Sequence, residues 1–538
     1  MAKNKQPLHP DAPLLLNNHR RPMTRRELIA QGFKLGGGTL VGGSLLSMLN
    51  PAMAASVSLS TDVAAARTAC GILSQGAGKI PFICFDLAGG ANIAGSNVLI
   101  GQKGGQLDFL SAAGYSKQGL PADMAPTTST AGTQVNTSLG LAFHSDSALL
   151  RGITSKINPT TATTTNGAVI AARSENDTGN NPHNPMYGIN RVGANGSLLA
   201  LIGSRSSDSG GNSMAPSSLI NLEVRPTKVD NPNDVTGLVD VGDLVNLMSQ
   251  EDTVKVMESI YRISDKKLDS LSGFGTSRDA KLKELVRCGY VKSADLAARF
   301  GNPADIDPKQ DTDLVGANGV FSLAEVLSDG EFSKTASIAK LVVNGYAGAG
   351  TITMGGFDYH TGDRSTGEQR DERAGKCIGA CLEYAARKGV PIMIYVYSDG
   401  SVFSNGMMDN SAMGRGKGVW TGDDQQTGSA FFLVYNPTRR AVLMEGTSSD
   451  PATISDTQRK HQQIGYMRAS GDVETSSSPA GNNVNLLVET VILNYMALHN
   501  QQGQMRNLFP GTGLGSATMI DRLTAFQPIC NGTIGFPS

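Results

Sequence analysis

The stretch from residue 349 to 401 constrains the fold more than any other part of the chain. It reads as strand, loop, helix, strand, loop. Thr351-Ile352-Thr353-Met354 is β-branched and apolar, and it stops at Gly355-Gly356, before Asp358-Tyr359-His360. From Ala374 the apolar or small residues fall at 374, 377, 378, 381, 382 and 385. That is the spacing of one helix face. Lys388-Gly389 ends the predicted helix and Pro391 prevents its continuation. Val390 to Tyr397 is a short, nearly continuous apolar run, as expected of a strand buried on both faces of a parallel sheet. Ser398-Asp399-Gly400 follows it.

Two predicted strands therefore each deliver an acidic residue at the carboxyl end, with a crossover helix between them. Ligands of open α/β sheets bind outside the carboxyl ends of the strands. Asp358, His360 and Asp399 are thus expected at one site, where carboxylate plus imidazole suits a divalent metal such as zinc or manganese. The plainer reading is that these are loop groups that cap the next helix.

An export signal is expected before any domain. Residues 20–26 read RRPMTRR, and Thr24-Arg25-Arg26-Glu27-Leu28 fits a twin-arginine signal. A weakly apolar, glycine-rich run from Leu35 to Leu49 and a small-x-small cleavage site, Ala52-Met53-Ala54, come next. The run is too short and glycine-rich for a stable membrane span, and no later stretch is long and apolar enough for one. The twin-arginine export machinery is then a partner, and the destination is periplasmic or extracellular. Residues 1–54 carry seven Lys/Arg and two Asp/Glu, so a chain of net charge −1 is left with about −6 beyond residue 54. No basic run survives there, which argues against nucleic acid as a partner.

The strand at residues 80–87 ends at Asp86 and runs into Gly89-Gly90-Ala91-Asn92 and on to Ser96-Asn97. Glycines after a strand let backbone approach a ligand. Ser96 or Asn92 could serve there as nucleophile or oxyanion donor; the alternative reading is that the loop only makes a tight turn. Residues 112–235 are rich in Gly, Ser, Thr, Asn and Pro and read as loop-dominated, whereas 240–300 is the most helical part. A glycine-rich loop is expected after Ser401, then strands at 430–435 and 440–445 and a last helix at 484–501. Six cysteines permit disulfides in an exported chain, with Cys70, Cys288 or Cys530 available and Cys377 and Cys381 packed on the helix face.

The order of FDLAGGAN (from Phe85), GFDYH (Gly356 to His360), YSDGS (Tyr397 to Ser401) and TGDDQQTG (Thr421 to Gly428) resembles a secreted bacterial family of unknown function within the alkaline phosphatase and sulfatase superfamily. The resemblance implies an α/β fold that is alkaline-phosphatase-like: a mostly parallel central sheet flanked by helices, spanning 55–538, with a loop-rich and helical insertion at about 112–330. It implies a metal-dependent hydrolase acting on a small anionic ester, a phosphate or a sulfate. Asp358 and His360 match one ligand pair, and Asp86 and Asp399 lie at strand ends where ligands are placed. Three departures stand out. After the later strand Ser398-Asp399-Gly400-Ser401-Val402 replaces a Ser-Glu-Phe-Gly-Arg. Asn92 replaces an acidic residue after the double glycine. Asp423-Asp424-Gln425 replaces an Asp-His-Gly, so that Asp424 would substitute as ligand and shift preference toward a harder ion such as calcium. The cofactor expected is a divalent metal: zinc, manganese or calcium. The competing reading is a non-catalytic exported protein with a degenerate site, used in surface assembly or binding.

Overall fold

The computed structural model describes residues 57–72, 76–174, 181–240, 248–270, 279–301, 303–362 and 364–534. The predicted export signal lies outside them. The chain divides into two compact units, one made of residues up to 71 with 240–302, the other of 72–239 with 303 onward.

The smaller unit is helical: α1 Thr61–Ala69, α2 Gln250–Ser270 and α3 Asp279–Arg299. On α2 the buried residues Val254, Met257, Glu258 and Tyr261 recur at helical spacing, as do Val291, Ala294 and Ala298 on α3. A disulfide joins Cys70 to Cys288. Asp62 is drawn well below the carboxylate range by hydrogen bonds from Arg262 and Ser60.

The larger unit is built on a sheet. In chain order its strands are β1 Phe82–Leu87, β2 Val135–Asn136, β3 Phe143–His144, β4 Thr165–Ala171, β5 Leu199–Gly203, β6 Thr227–Lys228, β7 Ala347–Met354, β8 Ile392–Tyr397, β9 Val402–Asp409, β10 Lys417–Asp423, β11 Ser429–Tyr435 and β12 Gln463–Ile464. Eight of them form one sheet in the order β12-β4-β11-β8-β1-β7-β5-β6. Every pairing in it is parallel except those made by β11. The sequence expectation of a mostly parallel central sheet flanked by helices is therefore met. β1 lies at its centre, with Asp86 opposite Thr353 on one side and Tyr397 on the other.

Three long helices cover the sheet: α4 Gly330–Val343, α5 Ser365–Lys388 and α6 Val484–Leu498. Side chains of a strand alternate between faces. Phe82, Cys84, Met393, Tyr395 and Phe432 share a core with Val488, Val491, Ile492 and Tyr495 of α6. The other parity, Ile83, Phe85, Ile394 and Val396, is equally buried and belongs to the face covered by α4 and α5, which contact β1, β7 and β8. Each fully buried large apolar side chain contributes about 1.5–3 kcal/mol, so burial on both faces holds β1 and β8 firmly in place. α5 ends where the sequence says it should, at Gly389 with φ +67.

The region expected as an insertion divides differently. Its first part supplies β4, β5 and β6 to the main sheet, and only 240–302 separates with the amino-terminal helix. β4, TNGAVIA, lies in the stretch that reads as loop-dominated and begins within the threonine-rich tract at 160–166. Its two neighbours β11 and β12 make it a strand, a case of tertiary pairing overriding local composition. The loop expected after Ser401 is instead an antiparallel ribbon of β9 and β10 with register shifts either side of Trp420. At 440–445 only Leu443 makes a bridge, to Phe526.

Candidate metal centre

Residues 357–360 show how the sequence builds the site. Burial alternates: Phe357 and Tyr359 are buried, Asp358 is exposed and His360 half-buried. A period of two puts Asp358 and His360 on one outward face just beyond the carboxyl end of β7. His360 Nε2 lies 2.6 Å from Asp358 Oδ1 and 3.7 Å from Asp423 Oδ2, the latter carboxylate standing at the end of β10. One ligand atom from each residue falls within 4.8 Å of the others. Ligand atoms at opposite ends of a tetrahedral edge around zinc are separated by roughly 3.4 Å, so small side-chain rotations bring this set to a cation. One imidazole and two carboxylates make a mixed donor set that suits zinc or manganese.

The double glycine after β1 fits against this site for a steric reason. Gly89 has φ +128, and a Cβ there would lie 2.5 Å from the Asp358 backbone nitrogen. The loop after β1 thus touches the segment that carries the ligands, and only glycine allows it. Asp399 serves the same loop. Its Oδ1 accepts the Gly89 N–H at 2.8 Å. Ser398 Oγ accepts from Ala91 N–H at 2.8 Å and donates to the Leu87 carbonyl at 2.6 Å.

The structure brings Asp358 and His360 together, as the sequence predicts, but not the other named residues. Asp86 is fully buried. Its Oδ2 accepts from the Asn212 and Ser213 backbones and from Thr353, and its Oδ1 from the Ser213 hydroxyl. Burial pushes its pKa up against those hydrogen bonds. It pins the 207–213 loop to the sheet instead of facing a metal. Asp399 holds the glycine loop, as above. Asp424 turns away to Lys117, at 2.6 Å, and its neighbour Asp423 takes the place expected for it. The reason is the β9–β10 ribbon: Asp423 closes β10 opposite Val402, whereas Asp424 caps the next turn by accepting from Gln426 N–H.

Ser96 and Asn92 need the same correction. Ser96 is fully buried, and its Oγ accepts from Arg364 Nη2 at 2.8 Å and from Asn92 Nδ2 at 2.5 Å. Its hydroxyl is a strut in a polar network, unexposed to substrate. Asn92 donates its backbone N–H to Tyr359 Oη at 2.7 Å, and Tyr359 Oη donates to Asp371 Oδ1. Asn97 Nδ2 donates to the other oxygen of Asp371 at 2.7 Å. Burial pushes Asp371 up to about 7, opposed by the Asn97 hydrogen bond and aided by the charge of Glu368. Arg364 lies over the Trp420 ring at 4.5 Å and pairs with Glu368 at 2.8 Å. Glu368 also meets Lys417 at 2.9 Å and Arg151 at 3.0 Å. Burial raises Glu368, but Arg364 and Lys417 outweigh it and leave the carboxyl below its usual range.

Burial also sorts the histidines. His144, His183 and His499 are buried, and desolvation lowers each to about 4. His461 is buried against the Thr524 carbonyl. Among the five histidines of the described residues, His360 is the half-buried one. Sequence reasoning missed Asp423 because two adjacent aspartates look equivalent until a strand end separates them. It missed the Arg364–Glu368–Asp371 cluster, although Arg364 and Glu368 are four residues apart at the start of a helix. Compared with protein-family models, curated proteins and solved structures, the chain matches none of them.

Proposed function

We propose that this is an exported, alkaline-phosphatase-like, metal-dependent hydrolase acting on small phosphate or sulfate esters. The observation that carries the reading is the Asp358, His360 and Asp423 set, grouped at the carboxyl edge of a mostly parallel sheet. These three residues would hold the cation, which when bound supplies Lewis-acid polarisation of an ester oxygen. Asp399 and Ser398 keep the glycine loop against the Asp358 segment and so fix the first ligand. Tyr359 anchors the same segment from beneath through Asp371 and Asn92. Because Ser96 is enclosed, no serine nucleophile enters the proposal. The Cys70–Cys288 disulfide suits an oxidising compartment and supports the export reading.

A second reading rests on that same enclosure. A superfamily site without an accessible nucleophile suits a non-catalytic exported protein that binds through a degenerate centre. The test is elemental analysis of protein purified from the periplasm without chelator, followed by an ester-hydrolysis screen. Near-stoichiometric metal, lost in His360→Ala and Asp423→Ala, with hydrolysis lost alongside it, supports the hydrolase. Bound metal without hydrolysis favours the second reading. A protein equally free of metal in wild type and variants sinks the metal centre.

A further inference from the structure

A separate cavity lies at the margin of the sheet. β12 ends at Ile464, and the chain turns at Gly465 with φ +72. A Cβ at Gly465 would lie 2.9 Å from Ser477 Oγ and 3.2 Å from Ser478 Oγ, so the turn passes close over a pair of hydroxyls. The cavity beside it measures about 320 Å³, at the lower end of the range for small-molecule sites.

Its walls divide by chemistry. Lys103, Lys460 and Arg522 stand exposed on the rim, and none of the three has an ion-pair partner among the described residues. Ser478 is nine-tenths buried, and its Oγ has no hydrogen-bond partner. A buried polar group left unpaired costs about 1–3 kcal/mol, a cost that a ligand hydrogen bond would remove. His461 Nδ1 lies 2.7 Å from the Thr524 carbonyl. A carbonyl only accepts, so Nδ1 donates to it, and Nε2 is the ring nitrogen on the Glu445 side. Glu445 holds a left-handed backbone, φ +56, and its Oε1 lies 3.8 Å from that Nε2. Met519 and Leu523 supply an apolar wall.

We propose that this cavity binds a small polyol phosphate monoester. Three unpaired cations suit a dianionic phosphate, with Arg522 able to engage it bidentately. His461 Nε2 and the Glu445 carboxylate suit ligand hydroxyls, and Ser478 supplies a donor or acceptor to the same body. The set is distinct from the metal centre: it shares no residue with Asp358, His360 and Asp423, and it stands whether or not that centre is catalytic.

The test is calorimetric titration of the purified protein with glycerol 3-phosphate. The expected result is saturable binding at this cavity with Kd below about 1 mM, resolved as a single site when the metal centre is disabled in His360→Ala, with inorganic phosphate about tenfold weaker. Lys460→Ala combined with Arg522→Ala should weaken binding at least about tenfold. Ser478→Ala should weaken it several-fold while the melting temperature of the ligand-free protein stays the same or rises, a result that a hydroxyl needed for the fold would not give. Binding should be unaltered in His360→Ala. Absence of saturation, equal affinity in the double variant, or loss of binding in His360→Ala would each overturn the assignment, the last by placing the anion at the metal centre.

Discussion

Two neighbouring regions of the sheet unit use the same residue types for opposite purposes. Asp358, His360 and Asp423 are 61%, 31% and 41% exposed at their side chains and gather at one point. Ser96, Arg364, Glu368 and Asp371 are all nearly or fully buried and spread their hydrogen bonds over α5, the loop after β1 and the ribbon. The first group stands at the surface with its ligand atoms within 4.8 Å of one another. The second has used its donors and acceptors on each other. Accessibility and convergence, more than residue type, separate a binding site from a scaffold.

The comparison breaks most visibly at Arg364. Arg364→Ala removes the guanidinium from Ser96, Glu368 and the Trp420 ring, and urea denaturation should show a loss of about 3–5 kcal/mol. If stability changes by less than 1 kcal/mol, the network is not the scaffold described above.

Asp371 gives the next effect, through pH. Its folded pKa of about 7 lies above the unfolded value. The folded state therefore binds the proton more tightly. Its stabilising contribution is complete below about pH 4 and is lost as pH rises through 7, by up to about 4 kcal/mol. Asp371→Asn should flatten the fall in melting temperature between pH 5 and 8. A slope equal to that of wild type would show that the carboxyl ionises without penalty.

Ser96→Ala leaves two buried donors without their acceptor and should cost about 1–3 kcal/mol, while metal content stays at the wild-type level. Loss of hydrolysis with stability intact would instead make Ser96 a nucleophile and undo the contrast.

The smallest stability effects belong to the exposed group. His360→Ala and Asp423→Ala, compared with wild type in chelator, should each change stability by less than about 0.5 kcal/mol and yet abolish metal binding by elemental analysis of protein purified without it. Asp424→Ala sharpens the point: it breaks an ion pair with Lys117, worth about 0–1 kcal/mol, and metal should remain. Metal loss in Asp424→Ala but not Asp423→Ala would reverse the assignment.

Much of this was legible in the chain itself. Apolar runs at 82–85 and 392–397, a helical period from 374 and the Gly389 stop determine a buried parallel sheet with a crossover helix. The two-residue spacing of Asp358 and His360 puts both on one face wherever the backbone is extended. These are local properties, set by periodicity and by what glycine and proline permit. Tertiary structure alone decided the rest. β4 is a strand because β11 and β12 pair with it. Asp423 and not Asp424 faces His360 because the ribbon's register ends between them. Asp86 and Ser96 look like a ligand and a nucleophile until partners distant in sequence, at 212–213, 353 and 364, claim their oxygens. Which polar atoms remain unclaimed depends on contacts between segments far apart in the chain, and no local pattern encodes those.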